Sequence, residues 1–198
     1  MDFWISIGST YSYLTVMRID ALAAEAGVAF TVRPFNVRSI MVEQNNIPFK
    51  DKPVKSAYMW RDIDRRAAVH GLAVTVPAPY PLPDLPFANA VAVLGMREGW
   101  VWDYIKETYR RWFLDGQRPG EEENLSGSLT AIGLDPAEVA DRAREDTIDA
   151  ALAAETEIAK AAGVFGSPSF VVGKEVFWGD DRLEAALDWA TGRHPGSR

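Results

Sequence analysis

Gly8-Ser9-Thr10-Tyr11-Ser12-Tyr13-Leu14, near the start of the chain, follows a short apolar segment. A second stretch, near the other end, reads Gly163-Val164-Phe165-Gly166-Ser167-Pro168-Ser169-Phe170 and places a proline immediately before an apolar run. The first stretch predicts the passage from a strand into a helix, and the second predicts an X-Pro bond that leads into another strand. A fold that joins the two stretches would place Ser9 beside Pro168.

The N-terminal residues predict a β-α-β unit. Alternating bulky residues predict a strand over 3–7, and a wide apolar face predicts a helix over 11–26 that ends at Gly27, a residue type favoured just beyond a helix. A second strand is predicted over 28–34. A strand, a helix and a strand in this order favour parallel pairing of the two strands.

The middle of the chain is predicted to be helical, from about residue 38 to residue 162. Five prolines between Val76 and Phe87 interrupt it and predict a long ordered loop over the mouth of a site. Apolar spacing and stop signals predict helices over 55–70, 88–96, 101–113, 125–132, 136–144 and 148–162.

The C-terminal residues predict a β-β-α unit. Strands at 170–172 and 175–177 are joined through Gly173-Lys174, and a final helix follows over 181–191. The whole pattern predicts an α/β protein with a thioredoxin-like fold, made of β-α-β and β-β-α halves with a large helical insertion. We expect residues 1–37 and 163–198 to form the thioredoxin-like domain and residues 38–162 to form the inserted helical domain.

Composition excludes several classes of function. The 198 residues carry a net charge of −7, which argues against a nucleic-acid surface. No apolar run approaches the ~20 residues of a membrane span, and residues 1–6 lack the basic segment of a secretory signal. We therefore expect a cytoplasmic protein without a membrane partner. Because the chain has no cysteine, disulfides, thiolate metal sites and a dithiol redox cycle are excluded.

Ser9 is the main candidate for catalysis. Redox proteins with this fold carry a cysteine at the start of the first helix, and here Ser9 takes that place in a chain without cysteine. The sequence therefore predicts an external thiol cofactor, with glutathione as the first candidate. Ser9 could equally be a simple helix N-cap. Neither His70 nor His194 is placed to complete a Ser-His-Asp triad or a histidine metal site, so we predict no hydrolase and no metal.

Two further positions could bind a peptide-like cofactor. A cis Ser167-Pro168 bond would present backbone N–H and C=O groups, with which an extended peptide such as glutathione could pair. Asp180 or Asp181 could receive the amino group of glutathione, although either residue could instead be the N-cap of the last helix. Spacing alone leaves both interpretations open.

The chain resembles the 2-hydroxychromene-2-carboxylate isomerases and the related kappa-class glutathione transferases, within the DsbA-like thioredoxin-fold proteins. The resemblance covers nearly the whole length. It is carried by Ser9 with Tyr11-Ser12-Tyr13-Leu14, Asn46-Ile47-Pro48, Lys55-Ser56-Ala57-Tyr58 with Asp62, Trp112 to Gly116, Phe165-Gly166-Ser167-Pro168, and Trp178-Gly179-Asp180-Asp181-Arg182-Leu183. Thr10 departs from the proline that usually follows the active serine in this family.

The resemblance implies a role for each of these positions. Ser9 would hydrogen-bond the glutathione sulfur, and Ser167 would bind the cysteinyl backbone. The implied glutathione-binding residues are Ser9, Asn46, Lys55, Ser167, Pro168, Asp180, Asp181 and Arg182. For a substrate carboxylate the candidate cations are Lys52 and Lys55, and the candidate ring-binding residues are Phe35, Tyr58, Trp60 and Tyr80. Without the resemblance, Lys55, Tyr58 and Asp62 are equally a solvated helix face.

The implied activity is a glutathione-dependent isomerisation of 2-hydroxychromene-2-carboxylate or a similar acid of aromatic catabolism. Ring opening and cis-trans isomerisation would proceed through a transient thiolate adduct, and a homodimer is implied. A kappa-like glutathione transferase, or another glutathione-dependent enzyme, is the close alternative. A non-enzymatic thioredoxin-like binding module is the more distant one.

Overall fold

The computed structural model describes residues 1–49 and 51–197. Its sheet has the strand order β2-β1-β3-β4. The strands are β1 (Asp2–Ile5), β2 (Thr31–Pro34), β3 (Ser169–Val172) and β4 (Glu175–Trp178). Strand β1 pairs with β2 in parallel and with β3 in antiparallel, and β3 and β4 form an antiparallel hairpin. This topology confirms the predicted thioredoxin-like α/β fold.

The helices follow the predicted order along the chain. Those between β1 and β2 are α1 (Ser12–Val16) and α2 (Ile19–Ala26), and α10 (Leu183–Ala190) follows β4. Between β2 and β3 lie α3 (Val37–Glu43), α4 (Pro53–Val69), α5 (Leu85–Glu98), α6 (Val101–Leu114), α7 (Glu122–Ala131), α8 (Pro136–Ala143) and α9 (Asp146–Ala161). None of the helices in the described part of the chain combines the length and apolar character that crossing a membrane requires.

The first predicted helix, over 11–26, is in fact two helices. The helix is interrupted at Met17-Arg18, between α1 and α2. The side chain of Arg18 reaches Asp180 at 2.9 Å and Glu184 at 2.6 Å, so residues from the far end of the chain hold it at the break. Such long-range ion pairs leave no periodic trace in the local sequence.

Several boundaries also differ from the prediction. Strand β1 ends at Ile5 and residues 7 and 8 form a turn, and β2 begins at Thr31 rather than at residue 28. Helix α3 is not among the individually predicted helices, although most of it lies in the stretch predicted to be helical. It begins where the Asn36 side chain accepts hydrogen bonds from the backbone N–H groups of Arg38 and Ser39. The Ser167-Pro168 bond is cis, as expected.

Strand β1 is buried on both faces. Its side chains alternate, so that Phe3 and Ile5 enter the larger apolar cluster, whereas Trp4 packs with Phe35 and Ile40 in a smaller one. Helix α5 packs against β2, and α6 packs against α1. The division into a domain of residues 1–37 and 163–198 and an insertion of residues 38–162 stays a prediction, and Arg198 at its end lies outside the described residues.

Candidate active site

A cavity of about 630 Å³ opens beside the carboxyl ends of the parallel strands β1 and β2. Ser9 follows β1, and Arg38 follows β2 at the start of α3. The Ser167-Pro168 peptide and Asp181 complete this side of the cavity. Ligands in open α/β sheets commonly bind at this edge, because the loops that leave neighbouring strands converge there.

Ser9 is held by hydrogen bonds from three directions. Its Oγ donates to the carbonyl oxygen of Ser167 at 2.6 Å. Its backbone N–H donates to the Ser6 carbonyl at 3.1 Å, and its own carbonyl accepts from the Tyr109 hydroxyl at 3.1 Å. The predicted contact between the two ends of the chain is therefore direct, and the Ser9 hydroxyl faces the cavity in one fixed arrangement.

The structure excludes the alternative that Ser9 is a helix N-cap. The N-cap of α1 is Tyr11, whose side chain makes no capping hydrogen bond, and α1 has only five residues. A helix this short contributes little macrodipole. An anion beside Ser9 would therefore be stabilised by the Ser9 hydroxyl and by nearby cations rather than by the helix.

Ser167 is fixed by other serines. Its Oγ accepts a hydrogen bond from the Ser6 backbone N–H at 2.9 Å and lies 3.1 Å from the Ser12 Oγ. Both Ser6 and Ser12 are buried. These contacts position the Ser167-Pro168 peptide beside Ser9.

Asp180 and Asp181 have different surroundings. The Asp180 carboxylate is 1% exposed, and its two oxygens accept from Arg18 at 2.9 Å and from Arg66 at 2.6 Å. Thr15 adds a further hydrogen bond to the same carboxylate at 3.1 Å. The Asp181 carboxylate is 49% exposed and pairs with Arg182 at 2.9 Å. Asp181 is therefore the better placed of the two to receive a ligand ammonium, while Asp180 holds Arg66 in place.

The charges that line the cavity are unequally paired. Its carboxylates are Asp62, Asp180 and Asp181, and its cations are Arg38, Lys55, Arg66 and Arg182. Asp62 pairs with Arg65, while Asp180 and Asp181 are satisfied as described. Within residues 1–49 and 51–197, neither Arg38 nor Lys55 forms an ion pair, and the Lys55 Nζ lies 5.6 Å from the centre of the Phe49 ring. A chain with a net charge of −7 thus offers unpaired cations to an anionic ligand.

Two phenols at the cavity are held in the protonated state. The Tyr11 hydroxyl donates to Asp62 at 3.0 Å, and burial together with the Asp62 charge raises the pKa of Tyr11. Burial also raises the pKa of Tyr80, although the positive charge of Arg38 acts in the opposite direction. Both groups are therefore hydrogen-bond donors at neutral pH rather than bases.

The structure gathers most of the predicted site residues but not all of them. It brings to the cavity Ser9, Lys55, Tyr80, Ser167, Pro168, Asp180, Asp181 and Arg182. Asn46 is exposed on the loop after α3, where its backbone N–H donates to the Met41 carbonyl at 2.8 Å. In the described residues, no group of metal-binding side chains converges on one point.

The predicted ring-binding wall is largely displaced. Phe35 is fully buried and packs its ring 5.8 Å from that of Trp4, so β2 directs it away from the cavity. Trp60 packs behind Tyr80, with the ring centres 6.1 Å apart. Tyr58 is 61% exposed and lies with Lys52 in a separate shallow groove on the outside of α4. Tyr80 is the predicted aromatic residue that lines the cavity.

Sequence reasoning missed several residues that line the cavity. Arg38 and Arg66 were not singled out, and neither were Met41, Phe49 and Leu85. A signal for Arg38 was available, because Asn36 is a good N-cap residue directly after β2, which places Arg38 in the first helical turn at the edge of the sheet. Arg66 lies one helical turn after Asp62, on the same face of α4.

Comparisons with known proteins agree with this fold. A family model described as a DSBA-like thioredoxin domain matches residues 1–188. The chain is 26% identical to a 2-hydroxychromene-2-carboxylate isomerase of Sphingobium xenophagum over 186 residues, which cover 93% of this chain and 94% of the relative.

Solved structures show the same architecture. A structure of 2-hydroxychromene-2-carboxylate isomerase matches with a TM-score of 0.84 at 24% identity, covering 97% of this chain and 94% of that one. Cytosolic disulfide reductase DsbM from Pseudomonas aeruginosa, solved with GSH, matches with a TM-score of 0.61 at 15% identity, covering 96% of this chain and 95% of that one. The resemblance noted from the sequence is confirmed, and the protein belongs to the family of DSBA-like thioredoxin domains.

Proposed function

We propose that the protein is a glutathione-dependent isomerase of 2-hydroxychromene-2-carboxylate or of a similar acid from aromatic catabolism. The observation that carries this proposal is the Ser9 hydroxyl, which lies 2.6 Å from the Ser167 carbonyl in a cavity lined by the cations Arg38 and Lys55, in a chain without cysteine. The names of the curated relatives support the same activity.

The polar groups of the cavity fit glutathione. Glutathione carries an ammonium and two carboxylates, and the half-exposed Asp181 suits the ammonium while Lys55 suits one carboxylate. The backbone N–H of Ser167 has no hydrogen-bond acceptor within the described residues, so an extended peptide can supply one. When bound, glutathione supplies the thiol nucleophile that the chain lacks.

Ser9 can supply much of the energy that a thiolate requires. Lowering the pKa of a thiol from ~8.5 to ~6.5 takes about 2.7 kcal/mol. One hydrogen bond to a charged acceptor contributes about 1.5–3 kcal/mol. To donate to a sulfur, the Ser9 hydroxyl has to turn from the Ser167 carbonyl, which stays close enough to receive it again. Unpaired cations of the cavity supply the remainder.

The apolar side of the cavity suits a planar ring. Met41, Phe49 and Leu85 line it together with Tyr80, whose protonated phenol can donate a hydrogen bond to a ring or carbonyl oxygen. These side chains exclude water from the reacting bond and hold the ring in position while a bond of the opened substrate rotates.

Glutathione binding, measured by calorimetry, tests the cofactor. We expect micromolar to millimolar affinity for the wild type, weaker binding for Asp181→Ala, and unchanged binding for Asp141→Ala, which removes an exposed carboxylate on α8. If the wild type bound extended peptides but no glutathione, the protein would instead be a binding module.

Turnover tests the reaction. We expect 2-hydroxychromene-2-carboxylate to change its ultraviolet spectrum catalytically at trace glutathione, with the total thiol conserved. Loss of one thiol for each molecule converted would contradict the isomerase and favour a kappa-like transferase.

The expected homodimer would have twice the chain mass of 21.9 kDa by light scattering. Cell fractionation would test the expected cytoplasmic location.

A further inference from the structure

We propose that Arg38 binds the carboxylate of the aromatic substrate and thereby makes the site selective for acids over neutral compounds of the same shape. This inference rests on the proposed function, since it assigns the part of the cavity that glutathione leaves open.

The pairing of charges singles out Arg38. Arg66 is occupied by Asp180 at 2.6 Å. Arg182 pairs at 2.9 Å with Asp181, the carboxylate assigned to the glutathione ammonium, so it lies at the cofactor end of the cavity. In the described part of the chain, Arg38 and Lys55 are the cavity cations that form no ion pair. A partly buried guanidinium without a carboxylate gains more from an anionic ligand than one that must first release a partner.

The backbone holds Arg38 close to the reacting end of the cavity. Val37, the first residue of α3, donates its N–H to the Ser6 Oγ at 3.3 Å, and the Ser6 carbonyl accepts from the Ser9 N–H at 3.1 Å. The Asn36 side chain accepts from the Arg38 N–H at 3.1 Å and fixes the first turn of α3. The helix turn that carries Arg38 is thus connected to the turn that carries Ser9 through Ser6.

The surroundings of Arg38 suit an aromatic acid. Met41 lies one turn further along α3 and also lines the cavity. The phenol of Tyr80 is close enough to Arg38 for the guanidinium charge to influence it. A planar ring placed against Met41 and Tyr80 would therefore direct its carboxylate to a planar guanidinium, which can bind both oxygens.

The two lysines suit this role less well. Lys52 lies in the shallow outer groove, and its Nζ donates to the Ile47 carbonyl at 3.0 Å. Lys55 lies over the Phe49 ring and borders both this groove and the cavity, a position suited to a glutathione carboxylate near the opening. Arg38 is left as the cation for the second ligand.

Calorimetry with two probes that do not react tests the proposal. Chromone-2-carboxylate is a planar bicyclic acid, and chromone-2-carboxamide is its neutral counterpart. We expect the wild type to bind the acid about tenfold more tightly than the amide, as a charge-assisted pair implies. Arg38→Gln should abolish this preference without changing amide affinity. Arg97→Gln, which removes an exposed arginine of α5, should leave the preference intact.

Two outcomes would overturn the proposal. The first is a tenfold preference for the acid that persists in Arg38→Gln, and the second is a wild type that binds both probes equally. Arg38→Lys keeps the charge but loses the paired geometry, so we expect an intermediate preference, and circular dichroism of both variants checks that they fold.

Glutathione affinity separates this inference from the proposed function. We expect Arg38→Gln to bind glutathione as the wild type does. Loss of glutathione binding in this variant would assign Arg38 to the cofactor and overturn the inference. A wild type that prefers the acid through Arg38 but converts no chromene acid would refute the proposed reaction while leaving the acid site in place.

Discussion

The two walls of the cavity differ in how their polar side chains are paired within the protein. On the sheet-side wall, Ser9, Ser167 and Asp180 make hydrogen bonds or ion pairs with other residues of the chain. On the helix-side wall, Arg38 and Lys55 form no ion pair with any residue that the structure describes. The contrast indicates that the sheet-side wall is organised before any ligand binds, whereas Arg38 and Lys55 on the helix-side wall are available to an anionic ligand.

This difference predicts which substitutions affect stability and which affect binding. A buried polar group that loses its partner carries a full desolvation penalty, so changes on the sheet-side wall should destabilise the fold. Lys55 is exposed and Arg38 is partly buried, and neither forms an ion pair with the described residues, so their replacement strands no buried charge and should leave stability nearly unchanged.

The largest effect is expected for Asp180→Ala. Removal of this carboxylate leaves the partly exposed Arg66 without its partner and the buried Arg18 with Glu184 alone, and we expect a loss of about 3 kcal/mol in the free energy of unfolding. Urea denaturation measures the loss. Asp181→Ala is the matched control, since its exposed pair with Arg182 should contribute at most ~1 kcal/mol. Equal losses in the two variants would remove the distinction between the acids.

Ser9→Ala should separate catalysis from folding. The hydrogen bond to a charged sulfur is expected to contribute about 1.5–3 kcal/mol, so kcat/KM should fall about tenfold or more. The stability cost should be only about 1 kcal/mol, because a single hydrogen bond to the Ser167 carbonyl is lost. Ser126→Ala on α7 serves as the control. A fall in kcat/KM well below tenfold would show that thiol activation does not depend on this hydroxyl.

A smaller effect is expected for Lys55→Gln on the helix-side wall. The side chain makes no ion pair with the described residues, so the free energy of unfolding should change by less than ~0.5 kcal/mol. Glutathione affinity should fall a few-fold at low salt, and the difference from the wild type should shrink as the salt concentration rises. Calorimetry at two ionic strengths checks this result, and an affinity difference independent of salt would contradict it.

The smallest effect on the free energy of unfolding is expected for His70, which lies beside Arg18, the partner of Asp180. Burial, followed by the nearby charge of Arg18, lowers the pKa of His70 from its usual 6.5. The unfolded chain therefore binds this proton more readily, so the free energy of unfolding should decrease slightly as the pH falls through 6.5 and stop decreasing below the pKa of the folded state. Denaturation between pH 5 and pH 8 should show a weaker dependence for His70→Gln.

Local patterns were sufficient to predict the frame of the molecule. Alternation of apolar and polar residues and the turn residues after each strand were sufficient to predict the sheet. The predicted fold also correctly placed Ser9 next to the Ser167-Pro168 peptide. The interruption of the first helix at Arg18 was not predicted, and the Arg18 side chain pairs there with Asp180 and Glu184, more than 160 positions further along the chain. Periodicity reports which face of an element is apolar, but it does not report such partners.

In the candidate site, too, local patterns predicted the position of some residues but not of those whose orientation depends on packing. Residues next to a turn or a strand end, such as Ser9 and Asp181, line the cavity as predicted. Phe35 was expected in the ring-binding wall, yet the alternation of β2 directs it into the cluster around Trp4. Whether an apolar side chain faces a ligand or the core depends on the packing of the next layer, and the spacing of Phe35 alone carries no information on that layer.

The strand order β2-β1-β3-β4 also has a consequence for biosynthesis. Strand β1 is synthesised before all the helices described here, yet its second partner β3, in which Val171 pairs with Asp2, is synthesised only after α1 to α9. One edge of β1 therefore stays open while all the intervening helices emerge, and an open apolar edge is a template for pairing with other chains. A nascent chain that ends before Ser169 should accordingly aggregate or engage a chaperone, whereas completion of the C-terminal hairpin should release it.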